Sequence, residues 1–208
     1  MAGRSPDAPR RRSPRGADRR SPTARQQALL GGLEELFLAK GFIEFTLDDL
    51  AAQMNCSKST LYALAASKEQ LAAKVVREFF KGAAVRIEQR IAGIVDARGL
   101  IAAYLAGVSE QLNRASAAFM RDIMDFAPAR AEYELNSRVA AMRIRSFIAQ
   151  GVADGVFRVV HASLIAEMVG LLIEGIQTGA ISERSGVSDA EAYSALAELL
   201  LDGLAAPS

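Results

Sequence analysis

Three helix-start signals follow one another closely in the first third of the chain, and they limit its fold more than any other feature. Thr46 and Asp49 have the spacing of a capping box, Ser57 offers a second N-cap, and Ser67 offers a third. Asn55, which tolerates the left-handed conformation, lies where the first of these helices has to end. Two helices of about two turns each, joined by a turn of about three residues, form a helix-turn-helix.

The residues after Ser57 explain why this segment contains so many small polar groups. At helical spacing Leu61 and Leu64 face the core, which leaves a face of short polar side chains and one tyrosine: Lys58, Ser59, Thr60 and Tyr62. Short side chains let a helix approach the floor of a major groove, and hydroxyl groups donate to phosphates or base edges. We therefore interpret this face as a surface that contacts nucleic acid.

The rest of the chain predicts an all-α protein. Apolar residues recur at helical intervals over residues 24–40, and a long helix runs from Ser67 to about residue 92. Further helices are predicted at 98–113, 116–127, 130–153, 161–181 and 189–204. No alternating pattern of a β-strand occurs, so we expect about nine helices in total.

Charge is unevenly distributed along a chain whose formal net charge is +1. Residues 1–25 hold eight arginines and two aspartates, and the remainder carries a formal charge of −5. The first residues have almost no apolar side chains to bury, so we predict a disordered basic arm over residues 1–21. Two roles stay open: the arm contacts phosphates, or it is a solubilising tail or the product of a misassigned start codon.

Composition and motifs give no support for an enzyme, a secreted protein or a membrane protein. Cys56 is the single cysteine and the first residues lack the apolar stretch of a signal peptide, so we expect a cytoplasmic protein. The most apolar stretch, residues 168–173, is far shorter than the roughly 20 residues of a membrane span. His161, the single histidine, is expected near a helix start. No phosphate-binding loop or metal-spaced cluster occurs, so no catalytic residue, cofactor or metal is predicted.

The segment GFIEFTLDDLAAQMNCSKSTLYALAASKEQLAAKVV, residues 41–76, resembles the DNA-binding domain of TetR-family transcriptional regulators. The matching parts, in order, are residues 41–42, 46–51, 57–62 and 67–71. The resemblance implies a three-helix DNA-binding domain over residues 22–75 and a helical effector-binding and dimerisation domain over residues 76–208. It also implies a homodimer that binds a palindromic double-stranded DNA operator, acts as a repressor and is released by a small, largely apolar effector.

The same resemblance implies roles for individual residues. Thr46 and Lys68 are expected to hold phosphates at helix N-termini. The recognition helix is expected to contact backbone or bases through Ser57, Lys58, Ser59, Thr60 and Tyr62.

The chain also departs from the family pattern, which leaves an alternative open. After Tyr62 the family usually has aromatic residues or histidine, whereas this chain has Ala63, Leu64 and Ala65. Residues 26–75 hold four lysines against six acidic residues, which is unusual for a surface that binds phosphates. The alternative is a helical dimeric module that binds a ligand or a protein and whose degenerate helix-turn-helix no longer recognises DNA.

The last two predicted helices are apolar on more than one face, which requires burial on both sides. We predict that they form a four-helix interface between two copies of the chain through Val169, Ile173, Ile176, Leu196 and Leu200. Burial of both helices inside one chain is the alternative.

Methionine and aromatic residues recur at helical spacing between residues 104 and 147, a pattern typical of a core and also of a cavity for an apolar effector. The candidates for lining such a cavity are Tyr104, Phe119, Met120, Ile123, Tyr133, Met142 and Phe147. Arg121, Asp125 or Arg143 would supply an orienting polar contact, and no residue identifies the effector.

Overall fold

The computed structural model describes residues 23–205, apart from the side chains of residues 189 and 190. The predicted basic arm, residues 1–21, lies outside the described residues. Within this part of the chain the helices are α1 (Ala24–Lys40), α2 (Leu47–Gln53), α3 (Lys58–Tyr62), α4 (Lys68–Ile91), α5 (Ala97–Leu112), α6 (Ala117–Asp125), α7 (Ala127–Ala153), α8 (Ala162–Gln177), α9 (Ala180–Ser185) and α10 (Asp189–Leu204). The all-α prediction is confirmed, and α9 is a short helix that begins within the helix predicted over residues 161–181 and extends beyond it.

The three predicted N-caps are present and confirmed. The Thr46 hydroxyl accepts from the Asp49 N–H at 3.2 Å, and the Asp49 carboxylate accepts from the Thr46 N–H at 2.8 Å. The hydroxyl groups of Ser57 and Ser67 each accept from the backbone N–H three residues further on, at 3.3 and 3.2 Å. Each cap satisfies an N–H group that the helix itself leaves without a partner, so α2, α3 and α4 begin where the sequence predicts.

The turn between α2 and α3 closes through two backbone hydrogen bonds. The Cys56 N–H donates to the Ala51 carbonyl at 2.9 Å, and the Asn55 N–H donates to the Ala52 carbonyl at 3.2 Å. This is the hydrogen-bond pattern of a Schellman motif, which needs a left-handed residue after the helix. Asn55 supplies it with a φ of 47°, as the sequence predicts. The turn therefore ends α2 sharply and sets the direction of α3.

Two clusters of buried apolar side chains form the interior. The N-terminal core consists of buried residues from α1 to α4 together with Phe119, Ile123, Ala129 and Tyr133 of α6 and α7. The C-terminal core joins the second half of α4 to α5, α7, α8 and α10. Because α4 contributes to both cores and α6 packs into the first, the helix-turn-helix is built on part of the second predicted domain.

Polar contacts also fasten α6 to the end of α1, and we name this set the α1–α6 joint. The Ser116 N–H donates to the Leu38 carbonyl at 2.8 Å. One carboxylate oxygen of Asp122 accepts from the N–H of Phe42 and from the N–H of Ile43, the latter at 2.8 Å. The residues of the joint are separated by about 80 positions in sequence but hold the start of the helix-turn-helix in one place.

No helix within residues 23–205 is both long enough and apolar enough to cross a membrane.

Candidate DNA-binding surface and effector cavity

The recognition helix α3 has one buried face and one exposed face. Leu61 is 1% exposed and fixes the helix in the N-terminal core, whereas Tyr62 on the other side is 51% exposed. The Ser57 hydroxyl lies 2.7 Å from the Ser59 hydroxyl and 2.9 Å from the Thr60 hydroxyl. A cluster of hydroxyl groups next to an exposed tyrosine ring can donate to phosphates or base edges without any change in the core.

Two lysines flank this surface, and each already has a partner in the protein. The Lys58 ammonium lies 2.7 Å from the Asp48 carboxylate, whose hydrogen bond and charge raise the pKa of the lysine. The Lys68 ammonium donates to the Ile43 carbonyl and so ties the first turn of α4 to the segment before α2. Because this ion pair is exposed to solvent, Lys58 can exchange Asp48 for a phosphate at small cost.

Thr46 is exposed, but its polar groups serve the start of α2. Its hydroxyl and its N–H both bond to Asp49, and these hydrogen bonds hold the pKa of that carboxyl below its usual range. Asp48 and Asp49 give the first turn of α2 a negative charge, which opposes an anion at that helix end. Phosphate binding by Thr46 therefore stays a prediction, as do the contacts expected from Ser57, Lys58, Ser59, Thr60, Tyr62 and Lys68.

A cavity of about 100 Å³ lies between α4, α5, α7 and α8. Its wall is mainly aromatic and aliphatic and includes Phe79, Phe80, Ile87, Tyr104, Val108, Tyr133 and Ile173. At its edge the Arg143 guanidinium makes two hydrogen bonds of 2.8 and 2.6 Å to the Glu88 carboxylate. Because these two side chains are 39% and 50% exposed, the ion pair marks the side on which the cavity meets the surface.

Polar side chains occupy the deeper wall of this cavity. Gln111 is the buried polar residue of the described chain, and its side-chain carbonyl accepts from Arg86 at 2.6 Å. The Tyr133 hydroxyl donates to the Gln177 carbonyl, and the Gln177 amide donates to the Tyr193 hydroxyl at 3.1 Å. Burial, with the negative charge of Glu88, raises the pKa of Tyr104 to about 12. The cavity therefore offers neutral hydrogen-bonding groups within an apolar wall.

The structure brings together only part of the set predicted to line a cavity. Tyr104 and Tyr133 line it, together with Arg143, and the Phe147 ring packs against Tyr104 with 5.6 Å between ring centroids. Phe119 and Ile123 lie in the N-terminal core, and Met142 is 60% exposed on α7. Met120, Arg121 and Asp125 line a second cavity of about 470 Å³ that also borders α8 and α9.

Sequence reasoning missed three residues that the structure places at key positions. Gln111 lies on the apolar face of α5, and a polar residue on an apolar face is the sequence signal that could have indicated its role in the cavity. Glu88 and Asp122 sit on exposed or half-buried positions where a carboxylate is common, so no sequence signal separated them from other surface acids. Among the described residues no group of three or more His, Cys, Asp or Glu side chains could hold a metal ion. His161 caps α8 by accepting from the Leu164 N–H at 3.2 Å, as expected for a residue near a helix start.

The structure places the residues predicted for the dimer interface inside a single chain, and their role in an interface stays a prediction. All five are between 3% and 7% exposed and belong to the C-terminal core of a single chain: Val169, Ile173, Ile176, Leu196 and Leu200. The reason is that α8 and α10 each have two apolar faces, and the chain buries the face that contains these residues against α5 and α7.

The opposite apolar face of the same two helices remains exposed. On α8 it consists of side chains spaced by one or two helical turns, with exposed fractions from 38% to 69%: Leu164, Met168, Leu171 and Leu172. On α10, Leu199 is 69% exposed, and together with Ala195 it lines a depression shared with Leu172. We name these residues the α8–α10 apolar face. A continuous exposed apolar area of this kind is typical of an interface with another protein.

Comparison with known proteins agrees with this architecture. Residues 29–75 match the family model described as bacterial regulatory proteins, tetR family. No curated protein matches the chain.

Solved structures share the fold over most of the chain. A candidate transcriptional regulator from Saccharomonospora viridis in complex with choline is 20% identical, with a TM-score of 0.72, covering 87% of this chain and 97% of its own. A TetR-family regulator from Agrobacterium tumefaciens is 19% identical, with a TM-score of 0.67, covering 86% and 97%. Reduced NemR from E. coli is 18% identical, with a TM-score of 0.68, covering 88% and 98%.

An exposed recognition helix on an all-helical, two-core chain defines a helix-turn-helix transcriptional regulator. Residues 29–75 match the TetR-family DNA-binding domain, and the described chain has the fold of TetR-family regulators.

Proposed function

We propose that the chain binds a palindromic double-stranded DNA operator as a homodimer and acts as a repressor that a small, largely apolar effector releases. The observation that carries this proposal is the exposed polar face of α3, whose opposite face is anchored by Leu61. A groove can receive this face as it stands, because Ser57, Ser59 and Tyr62 are all exposed.

The α8–α10 apolar face supports the homodimer. Two copies that meet through this face around a two-fold axis would remove its leucine and methionine side chains from water and form a four-helix interface. The same symmetry would present two copies of α3, as two half-sites of a palindrome require.

The aromatic cavity supports a small effector. A ligand changes DNA affinity only if it binds one conformation of the dimer better than the other. About 1.4 kcal/mol of differential binding changes the ratio of the two conformations tenfold.

Gel retardation with the purified protein and the DNA upstream of its own gene tests DNA binding. Thr60→Ala and Tyr62→Ala should each weaken binding by roughly 1 to 3 kcal/mol if they make direct contacts. Ser146→Ala, which removes an exposed hydroxyl on α7, is the matched control and should leave affinity unchanged. Full affinity in the Thr60→Ala, Tyr62→Ala double variant would exclude the proposed contact surface.

The basic N-terminal segment is expected to add phosphate contacts to a domain with few lysines. Deleting residues 1–21 should weaken DNA binding and make it less dependent on salt, because fewer counterions are then released. Equal affinity and equal salt dependence in the shortened chain would assign this segment another role.

The alternative of a ligand-binding module without DNA recognition rests on a specific observation. Lys58 and Lys68 are each engaged within the protein, and Asp48 and Asp49 lie beside the recognition helix. Absence of any retardation at low salt, with ligand binding to the cavity retained, would favour this alternative.

A further inference from the structure

Two polar atoms of buried side chains in the aromatic cavity have no hydrogen-bond partner within residues 23–205. Tyr104 is 5% exposed and Gln111 is 6% exposed. Within residues 23–205 the Tyr104 hydroxyl and the Gln111 amide nitrogen make no hydrogen bond. Every side-chain nitrogen or oxygen atom in residues 23–205 that is fully enclosed has a hydrogen-bond partner. The two atoms therefore reach open space, and the cavity is the space that both side chains line.

The orientation of the Gln111 amide is fixed by two arginines. Arg86 donates to the Gln111 side-chain oxygen at 2.6 Å, and Arg114 donates to the same oxygen at 3.4 Å. Because guanidinium groups only donate, the oxygen has to lie on the arginine side, and the NH₂ group lies on the other. The amide thus directs two N–H donors away from the arginines.

The Tyr104 hydroxyl adds a third donor to the same cavity. Its raised pKa, about 12, keeps it protonated throughout the physiological range. Its ring is held edge-on against Phe147, with 70° between the ring planes, so the hydroxyl cannot turn far from this position.

The charges around the cavity favour a ligand that accepts hydrogen bonds. Arg114 is paired with Glu34 at 3.2 Å and Arg143 with Glu88 at 2.6 Å. Arg86 has no carboxylate partner among the described residues, so one positive charge near Gln111 is uncompensated. This charge attracts an acceptor oxygen and opposes an ammonium group, despite the aromatic wall.

The volume limits the size of the ligand. At about 100 Å³ the cavity is smaller than an engineered apolar cavity of about 150 Å³ that takes up benzene. The part of a ligand that the cavity encloses is therefore no larger than about one six-membered ring.

We propose that the cavity binds a compact single-ring compound whose carbonyl or carboxylate oxygen accepts hydrogen bonds from the Gln111 amide and the Tyr104 hydroxyl. The proposal deepens the proposed function and rests on it for the effector role of this cavity. The binding itself requires no DNA.

Four single-ring probes of similar size test the chemistry: benzoate, benzaldehyde, toluene and benzylamine. Titration calorimetry of the full chain without DNA should show benzoate binding roughly ten- to a hundredfold more tightly than toluene, with benzaldehyde between them. Benzylamine should bind no more tightly than toluene. Equal affinity for benzoate and toluene, a preference for benzylamine, or no detectable binding of any probe would overturn the proposal.

Two variants separate the donors from the shape of the cavity. Gln111→Glu keeps an acceptor for Arg86 and replaces the donating NH₂ by an oxygen, so the preference for benzoate over toluene should disappear. Tyr104→Phe should reduce that preference while leaving toluene affinity unchanged. Gln89→Glu, an exposed position on α4, is the control and should retain the preference. If Gln111→Glu does not fold, Tyr104→Phe decides, and an unchanged preference in the folded variants contradicts the proposal.

The outcomes distinguish this inference from the proposed function. Benzoate that binds through Gln111 and Tyr104 without affecting operator binding would support the ligand chemistry and remove the effector role. An operator complex that forms normally, with no probe bound by the cavity, would leave DNA recognition standing and remove the ligand chemistry.

Discussion

Replacing Asp122 by alanine removes the side chain that ties α6 to the segment between α1 and α2. One oxygen of this carboxylate accepts two backbone hydrogen bonds, from Phe42 and from Ile43. A hydrogen bond to a charged group contributes about 1.5 to 3 kcal/mol. Ile43 is exposed, so its N–H recovers a water partner, whereas Phe42 is 2% exposed and its N–H is left poorly solvated. We therefore expect Asp122→Ala to lower the free energy of unfolding by about 2 to 3 kcal/mol.

Two further variants make this prediction specific. Asp122→Asn keeps a neutral acceptor oxygen and should cost about 1 kcal/mol. Asp125→Ala removes an exposed carboxylate from the last turn of the same helix and should change the free energy of unfolding by less than about 0.5 kcal/mol. Urea unfolding of the full chain, followed by circular dichroism, measures all three. A loss in Asp122→Ala no larger than that in Asp125→Ala would refute the assignment of Asp122 as the link between α6 and the helix-turn-helix.

Three other predictions concern the backbone, the dimer and the tyrosines. Gly41→Ala should destabilise the fold by more than about 1 kcal/mol in thermal unfolding, because the φ of Gly41 is 77° and an added Cβ would lie 2.5 Å from the Asp122 carboxylate. An unchanged melting temperature would contradict this close approach. Leu171→Glu should convert the proposed dimer to monomers in analytical ultracentrifugation, whereas Val85→Glu, at an exposed position on α4, should not. Dimers in both variants would exclude the α8–α10 apolar face as the interface. Burial raises the pKa of Tyr104 and Tyr133 to about 12, so these tyrosines ionise at lower pH in the unfolded chain than in the folded chain. The free energy of unfolding should therefore fall between pH 10 and 12, by up to about 3 kcal/mol per tyrosine. Phenolate absorbance that develops fully near pH 10 before unfolding would contradict this burial.

Helix starts could be predicted because the chemistry that fixes them is local. Thr46, Ser57 and Ser67 each bond to a backbone N–H three residues away, so the cap and its partner lie within one stretch of sequence. The left-handed Asn55 is local in the same sense. The position of the recognition helix therefore followed from neighbouring residues alone.

The choice between two apolar faces could not be made in this way. On α8, Ile173 and Leu172 are neighbours of similar hydrophobicity, yet one is 4% exposed and the other 38% exposed. The difference arises from contacts with α5, α7 and α10, which are distant in sequence. Periodicity shows that a helix has two apolar faces and does not show which of them packs inside its own chain.

The cavity was predicted in part for a related reason. Tyr104 and Tyr133 are large aromatic residues at helical spacing, so the pattern included them. Gln111 obtains its role from Arg86 on α4 and Arg114 after α5, and a pairwise contact of this kind has no local signature. Asp122 likewise obtains its role from a turn about 80 residues away.

Tyr133 connects the wall of the cavity to both cores of the molecule. Its ring belongs to the N-terminal core and lies 6.1 Å from the Phe80 ring, centroid to centroid. Its hydroxyl donates to Gln177 on α8, and Gln177 donates to Tyr193 on α10. Because packed cores shift between discrete arrangements and do not deform continuously, a displacement of Tyr133 would act on both sides at once. One side supports the recognition helix, and the other contains the helices of the α8–α10 apolar face. Tyr133 and Gln177 thus join the wall of the cavity to both of the regions that the proposed operator binding by a dimer would require.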